Sequence, residues 1–144
     1  MKDDRLRTPV DDPYLISLGR SAYCFASLEW NAVCCCARMQ DGYLDTVALK
    51  TAGTIADDLL RLSGELAEAA LGAECVAAAT EFKRLVRLRN GIVHAYPATV
   101  PGGAQRLLRH GKPWTPEEID DAADAYTACS LTLNALLYGG LADV

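Results

Sequence analysis

The chain has 144 residues, half of them apolar, and a formal charge of −5. That length suits one domain and lets it bury about two-thirds of its unfolded surface. No apolar run approaches the roughly 20 residues that span a bilayer, and the charged opening is followed by no apolar stretch with a small-residue cleavage site, which predicts a cytoplasmic protein with no membrane partner.

Residues 1–12 are short, charged and carry Pro9, which predicts a flexible N-terminal tail. From Pro13 to Met39 apolar and small residues (Ser21, Phe25, Leu28, Ala32, Cys35, Met39) recur at three- and four-residue steps, the stripe of a helix facing a core. Asp41-Gly42 breaks it. A second helix is expected from about Leu44 to Leu62, with Val47, Ile55, Leu59 and Leu62 inward, Asp57, Asp58 and Arg61 in solvent, and a stop at Ser63-Gly64. A third begins within Glu65–Gly72, with Gly72 as a possible kink. It runs to His94 or Ala95, because the residue before Pro97 is pushed out of helical geometry.

Ala98–Trp114, rich in Gly and Pro, reads as a loop with room for a short hairpin turning at His110-Gly111. Thr115-Pro116-Glu117-Glu118 is a capping box with proline at the first helical position, and Trp114 and Ile119 stand where a hydrophobic staple packs. That last helix is expected to reach Tyr138 and stop at Gly139-Gly140, leaving residues 141–144 as a C-terminal tail. The predicted fold is all-α: an antiparallel bundle of four main helices over residues 13–140.

Six cysteines are present, three of them consecutive at Cys34-Cys35-Cys36. Successive helical side chains diverge by about 100°, so these three cannot converge on one metal, and no C-x-x-C pair supplies a zinc site. Buried or interfacial thiols in a reducing compartment are expected.

Charge is unevenly spread. Between Lys83 and Pro116 stand seven cations (Lys83, Arg84, Arg87, Arg89, Arg106, Arg109, Lys112) and no acid. The rest of the chain holds seven cations against 19 acids. An acidic protein with one basic stretch suggests a local anion site; a surface complementary to an acidic patch on a partner is the alternative.

On a wheel of about 100° per residue, Phe82, Leu85, Val86, Leu88, Ile92, Val93 and Ala95 fill one apolar arc, while Lys83, Arg87, Asn90 and His94 align opposite. Arg89 falls inside the apolar arc. Burying an unpaired guanidinium is expensive, so Arg89 either snorkels out, pairs with a carboxylate of another helix, or points into an anion-binding cleft. His94 is a helix cap or an acid–base group that Asn90, one turn earlier, can orient. Gly91 removes a side chain beside them, as close approach of a ligand or second subunit would require. Tyr96 is either a half-buried anchor or part of the same site.

Arg89-Asn90-Gly91-Ile92-Val93-His94-Ala95-Tyr96 fits Arg-x4-His-x-Tyr with a polar residue after the arginine. In this motif, placed at the end of a third helix before a loop and a final helix, the chain resembles the HEPN ribonuclease toxins that pair with minimal nucleotidyltransferase antitoxins. The resemblance implies a homodimer with a composite active site, and an RNA endonuclease that needs no metal or other cofactor. His94 would serve as acid/base, Arg89 would stabilise the phosphorane-like transition state, and Asn90 and Tyr96 would support them. It also makes Tyr96 a candidate for AMP modification by a nucleotidyltransferase-type antitoxin. Lys83, Arg87, Arg106, Arg109 and Lys112 are candidates for RNA phosphate on charge alone; no DNA partner is expected. The alternatives are a non-catalytic HEPN domain that binds RNA, nucleotide or a protein, and an interaction subunit whose helices build an oligomer. Arg89 and His94 lie about 140° apart on a straight helix, which a partner helix or distortion near Pro97 would reconcile.

Overall fold

A computed structural model describes residues 2–144. Four α-helices dominate it: α1 (Asp12–Met39), α2 (Ala52–Gly64), α3 (Ala69–Val93) and α4 (Pro116–Tyr138). Two 3₁₀ segments, Asp4–Arg7 and Tyr43–Leu49, and three short strands complete the chain.

The helix starts follow capping chemistry. The side chains of Asp11, Thr51, Glu68 and Thr115 each accept a backbone N–H of the first turn of α1, α2, α3 and α4. At α4 the capping box is complete, with Glu118 returning a bond to the Thr115 N–H. The expected stripe of α1 is buried at Ser21, Phe25, Leu28, Ala32 and Cys35, and α2 buries Ile55, Leu59 and Leu62.

The expected single helix over 44–62 is instead a 3₁₀ segment and a separate α2, broken at Lys50-Thr51. The Tyr43 hydroxyl donates to Asp58 Oδ2 at 2.9 Å, and Lys50 Nζ meets the same oxygen at 2.7 Å. Residues 15 apart in one continuous helix would be about 22 Å apart along its axis. The Tyr43–Asp58 bond therefore requires the fold-back, and Thr51 supplies a fresh cap for it. α3 is unbroken at Gly72, where a Cβ would lie 3.3 Å from the Ser63 carbonyl oxygen: this glycine serves the approach of α2's end.

The bundle is not purely α-helical. Residues read as loop form an antiparallel sheet in the order β1 (Tyr96–Thr99), β2 (Gln105–Arg109), β3 (Lys112–Pro113). Tyr96 stands opposite Leu108, and Arg109 opposite Lys112. The hairpin turns at His110-Gly111 as the sequence suggested, both residues having positive φ (53° and 76°), which a tight two-residue hairpin requires. Pro97 is tolerated because β1 is an edge strand. Tyr14, fully buried, ties the sheet to α1: its hydroxyl donates to the Trp114 carbonyl at 2.8 Å and accepts from the Leu107 N–H at 3.1 Å.

Beyond α4, residues 141–144 are not simply a tail. Leu141 is buried and its N–H reaches the Leu136 carbonyl at 2.9 Å. The core centres on Phe25, Leu28, Leu59, Phe82, Leu85, Tyr126 and Leu133. Within it the Phe25 ring stacks at 6.3 Å on Phe82 and meets Tyr126 edge-on at 5.2 Å. Cys35, Cys36, Cys75 and Cys129 are buried free thiols, and Cys24 and Cys34 are half-buried. No helix among the described residues is long and apolar enough to cross a membrane.

Candidate functional site

Arg89 lies where the wheel places it, on the buried side of α3, yet its head is neither fully exposed nor locked to an acid. The guanidinium sits 4.4 Å from the centre of the Phe25 ring, a cation–π arrangement fixed by the aromatic cluster beneath it. Its Nη2 is 3.9 Å from Glu29 Oε2, beyond hydrogen-bond reach, and both side chains are about one-third exposed (27% and 35%). Among the described residues its Nε is buried with no acceptor, and the Tyr126 hydroxyl is likewise buried with no partner. Burial pushes the Tyr126 phenol up to about 12, with the Arg89 charge opposing, so it is a neutral O–H at any working pH.

These groups line one cleft of about 400 Å³, walled by Leu18, Ser21, Ala22, Phe25 and Ala26 of α1 and Ile92 and Val93 of α3. Of the three sequence readings of Arg89, the pairing with a carboxylate of another helix is present as a loose contact with Glu29, and Arg89 also lines a cleft. Glu29, Phe25 and Tyr126 were not singled out as site residues in the sequence. Their only signal is position: Phe25 and Tyr126 sit on buried stripes, and Glu29 borders one.

His94 is elsewhere. It is the C-cap of α3, exposed, and absent from the cleft lining. Its N–H bonds the Asn90 carbonyl at 3.0 Å, so the two are linked through backbone. The side chains of Asn90 and His94 make no hydrogen bond among the described residues. Arg109 Nη1 donates to the His94 carbonyl at 3.1 Å, which sets a cation against the carbonyl end of α3 where the helix dipole favours it. Tyr96 is 53% exposed at the start of β1, and Val93, 54% exposed, lies on the other side of His94. One chain therefore presents two separate groupings, Arg89 in its cleft and His94 with Tyr96 and Arg109 at the junction of α3 and the sheet.

The basic stretch is less basic than its composition. Lys83 pairs with Asp57 at 2.7 Å and Arg84 with Glu81 at 2.7 Å. Arg106 is held by Asp11 at 2.6 Å over the Tyr14 ring and pins the sheet to α1. Arg106 and Asp11 hold each other in place, and the Asp11 carboxyl lies below its ordinary range because of that bond. Arg87, Arg109 and Lys112 form no ion pair among the described residues, and Arg87 and Lys112 are exposed.

Gly91 has an internal explanation where an external one was expected. A Cβ there would fall 3.1 Å from Trp114 Cζ2, and the indole Nε1 donates to the Gly91 carbonyl at 3.0 Å. The missing side chain makes room for this chain's own tryptophan, which joins α3 to the start of α4.

A larger groove of about 720 Å³ between α3 and α4 is lined by alanines with Glu74 and Glu81, and no cation, so it does not suit a phosphodiester. Among the described residues no group of His, Cys, Asp and Glu side chains is arranged to hold a metal ion. Comparison with family models, with curated proteins and with solved structures finds no match.

Proposed function

We propose that the chain is a HEPN-like RNA endonuclease, acting as a homodimer, whose chemistry uses Arg89 and His94 and no metal. The observation that carries this reading is the state of Arg89: a guanidinium set into an apolar helix face, with a buried donor unpaired and its head at an open cleft. A purely structural arginine at such a position would be satisfied by an internal acid. The motif Arg89–Tyr96 and the order of four α-helices support the same assignment.

In the proposed reaction the His94 imidazole takes the proton from a ribose 2′-hydroxyl as its oxygen attacks phosphorus. The imidazolium then returns that proton to the 5′-oxygen as the phosphorus–O5′ bond breaks, and the product is a 2′,3′-cyclic phosphate. Arg89 donates to the phosphoryl oxygens as charge builds there. Because one chain separates the two groups, the site is completed by the second protomer, with Val93 and Tyr96, both half-exposed beside His94, lying in the contact. Arg87, Arg109 and Lys112 guide the RNA strand; Lys83 and Arg106 are committed to Asp57 and Asp11 and contribute less. In the single protomer Tyr96 is exposed, open before association to AMP transfer by a nucleotidyltransferase-type antitoxin, which would make the chain the toxin of a cytoplasmic pair.

Purified protein incubated with RNA in excess EDTA tests this. Cleavage leaving cyclic phosphate ends, abolished in His94→Ala, is the expected result. No cleavage by the wild type would leave the second reading, a HEPN domain that binds RNA, nucleotide or protein without cutting. The separation of Arg89 from His94 in one chain favours that reading if no dimer forms.

A further inference from the structure

The Arg89 cleft carries more than a phosphate requires. A phosphate is met by cations and N–H donors alone, and a carboxylate beside them repels it. Here Glu29 stands 3.9 Å from the guanidinium, one-third exposed, with no hydrogen bond among the described residues to occupy its oxygens. The remaining walls are apolar and small: Ala22 and Ala26 leave the α1 side low, and Ile92 and Val93 close the α3 side. Its volume, about 400 Å³, lies within the roughly 300–1,000 Å³ of small-molecule sites. Tyr126 closes the floor of the cleft, with its hydroxyl buried and without a partner among the described residues.

An acceptor pair next to a donor, between apolar walls, matches the edge of a planar ligand bearing two adjacent donors followed by an acceptor. Among nucleobases that edge is guanine's: N1–H and N2–H donate to the Glu29 carboxylate and O6 accepts from Arg89. Adenine would set its ring acceptor N1 against the carboxylate, and uracil offers one donor flanked by two acceptors. Cytosine offers the carboxylate a single donor. With Nε buried, the four N–H donors on Nη1 and Nη2 remain, so Arg89 can meet O6 with one and a phosphoryl oxygen with another.

We propose that the cleft between α1 and α3 is a guanine subsite, with Glu29 the residue that sets base specificity. As a statement about RNA it rests on the endonuclease reading above; as a statement about binding it does not. The experiment is titration of the intact protein with 3′-GMP, AMP, CMP and UMP by calorimetry, together with mapping of the ends left on an RNA of mixed sequence. The wild type should bind 3′-GMP at least about tenfold more tightly than the other three, the discrimination expected of one matched bidentate pair. Glu29→Gln should erase that preference, since an amide presents a donor to one of the guanine donors. Ala26→Leu, on an exposed position and without change of charge, should weaken all binding by filling the cleft.

Equal binding of the four nucleotides, or a guanine preference unaltered in Glu29→Gln, overturns the proposal. Equal nucleotide binding accompanied by RNA cleavage in wild type and Glu29→Gln alike overturns it and leaves the endonuclease reading intact. Selective 3′-GMP binding with no RNA cleavage upholds the subsite and removes the endonuclease.

Discussion

Replacing Arg89 with methionine separates a residue kept for stability from one kept for chemistry, and the structure gives the size of the effect. The arginine gains from its position over Phe25, about 1–2 kcal/mol for a partly desolvated cation–π contact. The pair with Glu29 is long and about one-third exposed, so screening by solvent holds it to about 0.5 kcal/mol. Against this stands the buried, unpaired Nε, which costs about 1–3 kcal/mol. These nearly cancel. Methionine spans a similar depth, regains a sulfur–aromatic contact worth about 0.3–1.5 kcal/mol, and leaves no orphaned donor. Glu29 stays hydrated.

Arg89→Met should therefore change unfolding free energy by no more than about 1 kcal/mol in either direction, a Tm shift of a few degrees. Urea unfolding followed by far-UV circular dichroism measures it. RNA cleavage by the same protein should fall by about a hundredfold or more, as expected on losing a donor that stabilises a transition state. A loss of about 3 kcal/mol or more, the signature of breaking a tight buried ion pair, would refute the reasoning and make Arg89 a structural residue.

Gly91→Ala gains about 1 kcal/mol in helix propensity but drives a Cβ to 3.1 Å from the indole of Trp114, a residue pinned through its backbone N–H and C=O and its Nε1. Net destabilisation of about 1–2 kcal/mol is expected in urea unfolding, and equal or greater stability would mean that Trp114 can shift. Asp58→Asn leaves Lys50 without its anion in a half-buried setting and should cost about 1–3 kcal/mol at neutral pH. Burial raises the Asp58 carboxyl, but its bonds to Lys50 and Tyr43 outweigh that and hold it below 3.8. Its stabilising contribution is thus complete above the ordinary carboxylate range and lost as pH falls through the folded value. The variant should accordingly show a flatter acid limb of stability against pH, and an unchanged limb would argue against the network. Burial pushes the thiols of Cys35, Cys36 and Cys129 up to about 12 and raises Cys75, so a thiol reagent at neutral pH should label at most Cys24 and Cys34 in the folded protein and all six after denaturation. Rapid labelling of four or more in the native state would contradict the packing.

The two ends of α4, the stripe of α1, the turn at His110-Gly111 and the burial of most cysteines were all legible in the sequence. Each depends on residues within a few positions of one another: a cap and its first turn, a periodicity of 3.6, two residues that tolerate positive φ. The oddity of Arg89 was legible for the same reason, because a wheel over Phe82–Ala95 needs no partner helix to be drawn. The break at Lys50-Thr51 was hidden because its cause is a bond from Tyr43 to Asp58, made possible only by the fold-back itself.

Tertiary structure alone decided which charges are free. Asp57, Asp11 and Glu29, from α2, the start of α1 and α1's interior, each face a different cation of the basic stretch, and no local pattern pairs them. It also turned Gly91 toward Trp114 and raised a sheet from a glycine-rich loop by anchoring it on the Tyr14 hydroxyl. Local sequence specifies what each segment can present; which groups then meet depends on how the helices pack, since the partners are brought together from tens of residues apart by burial of the core.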